Sequence, residues 1–167
     1  EELKRQAARI REKLGEFKLD PCSNASSHIR SQYHCSLDRT NPGLGDGLSH
    51  GWRSVSAADS PAAWWSVFVN PPYSDIGSWV LKAWDSHAES VCMLVPATRT
   101  EQDWWQDGVE PYRDQDVGAY SEWDLPGGHW KKFEVSFLRG RQHFLKDGKP
   151  ILNPETGKRS SPKFGCA

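Results

Sequence analysis

Two apolar segments on either side of a helical pattern limit the folds open to this chain. Residues 64–69 and 91–95 are rich in β-branched, aromatic and other apolar side chains, as in strands buried on both faces. Between them, the side chains of one face recur at helical spacing over 76–87, and Ser74 or Asp75 is available as the cap. A strand, a helix and a strand in this order predict an α/β domain with a mostly parallel sheet and right-handed crossovers.

The N-terminal third adds weaker patterns of the same kind. An apolar stripe predicts an amphipathic helix over 1–14, and polar and apolar residues alternate in a short predicted strand at 16–19. A second strand is predicted near 33–37, with a helix around 26–33 before it.

The C-terminal half is predicted to contain a short helix and short strands joined by long loops. Residues 100–103 have the spacing of a capping box and predict a short helix through Trp105. The acidic segment 107–128 is predicted to be a long irregular loop. Alternation predicts a strand at 133–138, with 141–145 as its continuation or hairpin partner.

Length and cysteine usage indicate the class of protein. The chain has 167 residues, of which 37% are hydrophobic, enough for one domain with its own core. No apolar run is long enough to span a membrane, and the first residues are charged. The four cysteines lack close-paired spacing and are expected to be reduced thiols: Cys22, Cys35, Cys92 and Cys166. We therefore expect a soluble cytoplasmic protein.

The formal net charge of −1 conceals an uneven distribution along the chain. From Lys131 to Lys163, nine basic residues stand against three acidic ones, a net +6, which leaves −7 for the remainder. Such a region can contact phosphates or be a solvated charged surface, and its charge alone does not separate the two. The nine tryptophans are expected to be mostly core side chains, with one or two available to stack on bases.

The first predicted strand of the central unit runs into the sequence VFVNPPYS at 67–74. The Asn70 side-chain oxygen and the Pro71 main-chain oxygen can accept two hydrogen bonds from one planar amino group, because the prolines fix the backbone. Tyr73 offers a flat face for a planar ring. Two acceptors that favour a pyramidal nitrogen make it a better nucleophile, which suits methyl transfer to nitrogen. The alternative is a strand-ending turn without chemistry.

Several blocks in order resemble the phage-encoded DNA N6-adenine methyltransferases, a compact Dam-like family. The resemblance covers roughly residues 14 to 165. It rests on six blocks: Phe17-Lys18-Leu19-Asp20-Pro21, Asp46-Gly47-Leu48 followed by Trp52, VFVNPPYS, Trp79-Val80-Leu81-Lys82-Ala83, Met93-Leu94-Val95-Pro96-Ala97, and Phe137-Leu138-Arg139-Gly140-Arg141-Gln142-His143-Phe144. One block alone would be weak evidence, whereas six in the family's order are strong.

The resemblance implies a fold, a cofactor and a substrate. The fold would be the Rossmann-like, three-layer fold of methyltransferases that depend on S-adenosylmethionine. The cofactor would be bound by Asp20, Pro21, Cys22, Asp46 and Asn70, with Asp20 against its methionine part and Asp46 near its adenine amino group. The target would be an adenine flipped out of double-stranded DNA and held by Asn70, Pro71, Pro72 and Tyr73. Its N6 would receive the methyl group directly, without a covalent enzyme intermediate.

The basic region supplies the predicted DNA contacts, and the chain also departs from the family pattern. The residues expected to contact DNA are Arg139, Arg141, Lys146 and Lys149. No Gly-x-Gly follows Asp20-Pro21, and no acid clearly ends a second strand, where Asp38 is a weak candidate. The chain begins without Met and stops where the family continues into a last strand. Residues 1–167 are therefore expected to be a single methyltransferase domain trimmed at both ends.

Other functions remain open at this stage. The chain could be a catalytically silent DNA-binding module of the same fold, or a methyltransferase acting on RNA adenine or on a protein glutamine, whose amide suits the same corner. Cys22, His28, His34 and Cys35 form a possible zinc cluster, but their spacing is unlike that of common structural sites. We expect no metal there.

Overall fold

Four short parallel strands form the central sheet. They are β1 (Leu19–Asp20), β2 (Tyr33–His34), β3 (Ser66–Val69) and β4 (Ser90–Met93), and their order across the sheet is β2-β1-β3-β4. The computed structural model describes residues 8, 12, 16–23, 31–37, 43–52, 66–86, 88, 90–113, 116–118, 130–138, 145–146, 149–150, 152–154 and 156–158. The predicted α/β class with a parallel sheet is confirmed for this part of the chain.

The pairing register places the most apolar positions at the centre of the sheet. Leu19 pairs with Tyr33 on one side and with Val67 on the other, while all four residues of β3 pair with β4. Leu19, Val67 and Val69 are fully buried. They belong to a cluster, here called the sheet cluster, formed by Leu19, Cys35, Trp52, Val67, Val69 and Trp79.

The helix that follows β3 connects two apolar clusters. It is α1 (Ile76–Asp85), and its buried residues Ile76, Trp79 and Val80 recur at helical spacing. Trp79 packs into the sheet cluster. Ile76 and Val80 instead join Val95, Trp105 and Val109 in a second group, here called the helix cluster. Asp75 is the cap residue, but its carboxylate accepts a hydrogen bond from Ser78 Oγ at 2.6 Å and does not cap the backbone.

The second helix packs tightly against the first. It is α2 (Asp103–Gly108), followed by a 3₁₀ turn at Glu110–Tyr112. The Trp84 indole of α1 donates a hydrogen bond to the Gly108 carbonyl at 2.8 Å. The capping-box prediction is wrong in detail, because Gln102 is the cap residue and makes no side-chain cap bond. The helix also continues three residues past Trp105.

Two antiparallel ribbons follow the helices. One joins β5 (Asp116–Gly118) to β6 (Trp130–Lys132), and the other joins β7 (Leu145–Lys146) to β8 (Lys149–Pro150). The predicted irregular loop 107–128 therefore contains the end of α2, a 3₁₀ turn and a strand.

The strand predicted at 133–138 is misplaced, because the ribbon strand ends at Lys132 and the next six residues belong to no strand. Their alternation has another physical cause. Phe133 and Val135 pack on the helix cluster, and the Phe133 ring lies parallel to Trp84 at 5.6 Å. Extended chain laid against helices produces the same alternating burial as a strand does.

The remaining predicted elements are described only in part. Ala8 and Glu12 are helical, while the other residues of the predicted helix over 1–14 lie outside the described residues. Of the helix predicted around 26–33, residues 26–30 lie outside them, and 31–33 are not helical because Tyr33 begins β2. The described helices are all too short or too polar to cross a membrane.

Candidate functional site

The strand order creates a crevice between β1 and β3. From β1 the chain moves outward to β2 on one side, and then crosses to β3 on the other side of β1. Ligands of open parallel sheets bind outside the carboxyl ends of the strands at such a switch point. Asp20 is the last residue of β1 and Asn70 follows the last residue of β3. The topology therefore brings both predicted site segments to one crevice.

The turn after β1 is shaped from inside the protein by Asp20. This side chain is 2% exposed, and its Oδ1 accepts a hydrogen bond from the Cys22 main-chain N–H at 3.1 Å. Pro21 is buried and Cys22 is half-buried. Because its carboxylate is enclosed, Asp20 maintains the shape of the turn more than it offers a surface to a ligand.

Three other predicted cofactor residues, Asp20, Asp46 and Asn70, influence the Cys22 thiol. Burial raises the pKa of the Cys22 thiol well above its ordinary value, and the charges of Asp20, Cys35 and Asp46 raise it further. A hydrogen bond from the Asn70 main chain to the sulfur acts in the opposite direction. Burial also raises the pKa of Cys35 to about 11. Both thiols are therefore neutral, weak nucleophiles at physiological pH.

Asp46 is an ionised carboxylate held in a tight turn. Ser49 Oγ donates a hydrogen bond to its Oδ2 at 2.6 Å, and the Leu48 N–H donates to its Oδ1 at 3.1 Å. The Ser49 hydroxyl is the main cause that lowers the pKa of Asp46, and the charge of Lys82 on α1 lowers it further. Asp46 therefore stays negative across the physiological range.

The Asn70 to Tyr73 corner projects at the edge of the sheet. Asn70 and Pro72 are exposed, whereas Pro71 is buried. The Pro72 carbonyl accepts a hydrogen bond from the Asp75 N–H at 3.1 Å, which closes the turn into α1. Tyr73 is half-buried and packs against the helix cluster, so part of its ring belongs to the core. Asn70 is thus an exposed residue at the carboxyl end of β3 and is not enclosed in the interior.

The predicted DNA contacts are described for two of four residues. Lys146 and Lys149 pair across the β7–β8 ribbon, and Lys149 is exposed. Arg139 and Arg141 lie outside the described residues. The backbone pairing thus places two lysine positions opposite each other on a narrow ribbon.

Sequence reasoning missed several neighbours of the crevice. Lys82 was not singled out, although it interacts with Asp46. The Trp52 indole donates a hydrogen bond to the Gly47 carbonyl at 2.9 Å, a contact that no sequence pattern signals. Among the described residues, His34 and His50 each carry a buried Nε2 without a hydrogen-bond partner. An open groove also runs along α1 beside Leu48, away from Asn70.

The described part of the chain holds no group of three metal-ligating side chains. Of the four residues weighed for zinc, Cys22 and Cys35 are close neighbours, whereas His28 lies outside the described residues.

Comparison with known proteins identifies a family. A family model described as DNA N-6-adenine-methyltransferase (Dam) matches residues 6–117, about two thirds of the chain. The match includes β1 to β4, both helices, and every predicted site residue except those of the basic region. No curated protein and no solved structure gives a significant match.

Proposed function

This chain belongs to the DNA N-6-adenine-methyltransferase (Dam) family, and from that premise we propose that it methylates N6 of adenines flipped out of double-stranded DNA. The observation that carries the proposal is the exposed Asn70 amide, placed at the β1/β3 switch point beside the Cys22 turn. The order of the four parallel strands also supports a three-layer, Rossmann-like arrangement.

The residues of the crevice suit S-adenosylmethionine, which supplies an electrophilic methyl group on a positively charged sulfur. In the proposal, the Asp20-Pro21-Cys22 turn lies against the methionine part and Asp46 accepts a hydrogen bond from the adenine amino group. The half-buried Asp46 carboxylate favours a positively charged ligand directly, and the enclosed Asp20 carboxylate adds its negative charge from behind the turn without contact. The neutral Cys22 thiol matters here as well, because a thiolate would compete with the substrate for the methyl group.

The Asn70 to Tyr73 corner would bind the target adenine. The Asn70 side-chain oxygen and the Pro71 main-chain oxygen accept hydrogen bonds from its exocyclic amine, and Tyr73 stacks on its ring. These acceptors stabilise the positive charge that develops on N6 as it is methylated. The methylated nitrogen is then strongly acidic, and its proton passes to water. An adenine inside a duplex cannot reach this corner, so the base must leave the stack.

The basic C-terminal region would bind the DNA backbone. Lys146 and Lys149 occupy paired positions on the β7–β8 ribbon, and Arg139 and Arg141 precede it along the chain. Phosphate contacts of this kind supply affinity that does not depend on base sequence.

The proposal is tested by incubating the protein with labelled S-adenosylmethionine and, separately, unmethylated DNA, RNA and protein extract. Label on DNA that maps to adenine N6 supports it. Label only on RNA or protein favours the other methyltransferase readings. DNA binding without cofactor binding would show a silent module.

Asp46→Ala is the companion variant for the cofactor side. We expect it to weaken cofactor binding by about 1–3 kcal/mol in calorimetry, the scale of a lost acceptor. Unchanged affinity would remove Asp46 from the site.

A further inference from the structure

Gly47 lies in direct contact with the main chain of the turn after β1. A Cβ built on Gly47 would be 2.0 Å from the Pro21 carbonyl oxygen and 2.9 Å from the Pro21 carbonyl carbon. Real Cβ atoms do not approach backbone this closely, so no other residue fits here without moving one of the two segments. The Gly47 φ lies outside the left-handed region. The requirement for glycine is therefore steric.

Gly47 makes a second contact, through its carbonyl oxygen, with Trp52. Its indole Nε1 donates a buried hydrogen bond to the Gly47 carbonyl at 2.9 Å. The Trp52 side chain is 1% exposed, and its ring stacks on Trp79 with centroids 6.3 Å apart and planes inclined by 24°. Trp79 belongs to α1, which begins directly after the Asn70 to Tyr73 corner. Gly47 is thus fixed between the β1 turn and the helix that carries the substrate-side corner.

We propose that Gly47 and Trp52 are positioning residues, which set the distance between the Asp46 carboxylate and the Asp20-Pro21-Cys22 turn. The proposal rests on the proposed function, since it concerns the two segments assigned to the cofactor. Asp46 directly precedes Gly47 in the chain. Any shift of the peptide that joins them therefore moves the Asp46 carboxylate relative to the Asp20-Pro21-Cys22 turn. Neither Gly47 nor Trp52 has to touch the cofactor for this effect.

A matched pair of glycine variants tests the steric contact. Gly47→Ala places a methyl group against Pro21, whereas Gly51→Ala, four residues along the same segment, meets nothing within 4 Å. We expect Gly47→Ala to raise the calorimetric Kd for S-adenosylmethionine by about tenfold or more, and Gly51→Ala to leave it within about twofold.

A matched pair of tryptophan variants tests the hydrogen bond and keeps the proposal testable if Gly47→Ala does not fold. Trp52 and Trp84 each donate an indole N–H to a glycine carbonyl, at 2.9 and 2.8 Å, but only the Trp52 bond reaches Gly47, the residue next to Asp46. Both phenylalanine variants lose one hydrogen bond and a similar volume. Because Trp52 is more deeply buried than Trp84, urea unfolding measures the stability of each variant, and cofactor binding is compared where both are fully folded. We expect Trp52→Phe alone to weaken cofactor binding, by about fivefold to twentyfold.

Steady-state kinetics test the positioning role of Gly47 and Trp52 independently of calorimetry. A residue that only positions the cofactor segments should raise the KM for S-adenosylmethionine, while kcat at saturation stays within about threefold of the unchanged protein. If the unchanged protein does not bind S-adenosylmethionine, the proposed function is wrong and the positioning proposal falls with it. If it binds, and both Gly47→Ala and Trp52→Phe match their controls, the positioning proposal is wrong while the proposed function stands.

Discussion

Asn70 is an exposed amide that directly follows Val69, one of the most deeply buried residues of the sheet. Burial of Val69 anchors the end of β3, and the prolines at 71 and 72 restrict the backbone that follows. The amide is therefore presented from a rigid base without being enclosed. At the scale of single residues, the proposed function depends on polar atoms at the end of an apolar strand.

Asn70→Ala should reduce methyl transfer by at least about 10²-fold, the usual loss when one group that stabilises transition-state charge is removed. Folding and cofactor affinity should stay near those of the unchanged protein, because Asn70 is exposed and its side chain is assigned to the substrate. Gln32→Ala is the control, since this exposed amide precedes β2 at the opposite edge of the sheet. Labelled transfer to DNA measures both, and near-normal activity in Asn70→Ala would falsify its assignment.

Cys35 makes stability depend on pH in the alkaline range. Its folded-state pKa of about 11 exceeds the ordinary value of 9.0, so the folded protein holds this proton more tightly than the unfolded chain. The contribution is complete below about pH 9 and is lost as the pH rises towards about 11.

We expect Cys35→Ala to lower the Tm at every pH, because a buried side chain is lost. Between about pH 9 and pH 11, the Tm of this variant should fall less steeply with pH than the Tm of the unchanged protein. Ser86→Ala, which removes a buried hydroxyl that does not titrate, should lower the Tm without changing the decline. If the Tm of the unchanged protein and of Cys35→Ala fell equally with pH, Cys35 would not be the source of this pH dependence.

At the scale of elements, α1 joins the two halves of the described fold. One face contributes Trp79 to the sheet cluster, and the neighbouring face contributes Ile76 and Val80 to the helix cluster. The close approach of α2 depends on Gly108, where a Cβ would lie 2.7 Å from Val80 Cγ1. A defect in this contact therefore affects the helix that begins at the substrate-side corner.

Two glycine substitutions should change stability with opposite signs. Gly108→Ala should destabilise the protein by about 1–3 kcal/mol, because the added methyl group overpacks the contact with Val80. Gly77→Ala, near the start of α1, meets only an ordinary contact with Trp104 Cβ at 3.7 Å and should stabilise by up to about 1 kcal/mol. Urea unfolding measures both, and a neutral Gly108→Ala would show that the helices separate easily.

At the scale of the whole molecule, charge is divided along the chain. The region from Lys131 onward carries a net +6 and the rest carries −7, although the total is only −1. Opposite signs in two regions suit the proposed cationic cofactor and the proposed phosphate contacts within one small protein. The overall net charge conceals this division.

The double variant Lys146→Ala/Lys149→Ala should reduce the salt dependence of DNA binding. If both residues contact phosphates, the slope of log K against log salt should fall in magnitude by about 1.8, since each contact contributes about 0.9. Lys18→Ala is a single-charge control with an expected change in slope near zero, because Lys18 is exposed and precedes β1 at the edge of the sheet opposite the crevice. Fluorescence anisotropy over a salt series measures the slopes, and an unchanged slope would assign the ribbon lysines a structural role.

The amino-acid sequence alone was sufficient to locate the central elements. Strands β3 and β4, helix α1 and the polar corner between them were predicted near their observed positions, because apolar runs mark strands and helical spacing marks the buried face of a helix. The expected burial on both faces is wrong for β4, whose four residues are all half-buried. The family also followed from short blocks in order, and the match over 6–117 confirms it. The prediction of a strand at 133–138 was wrong, because side chains packed against helices show the same alternating burial as a strand.

Only the tertiary structure decided which of these segments are neighbours. The contact of Gly47 with Pro21, the stacking of Trp52 on Trp79 and the influence of Lys82 on Asp46 join residues from separate parts of the chain. Local patterns record how each segment is buried, but they carry no information on the order in which strands pair. That order, β2-β1-β3-β4, places Asp20 and Asn70 at one crevice, and it follows from the packing of the whole sheet.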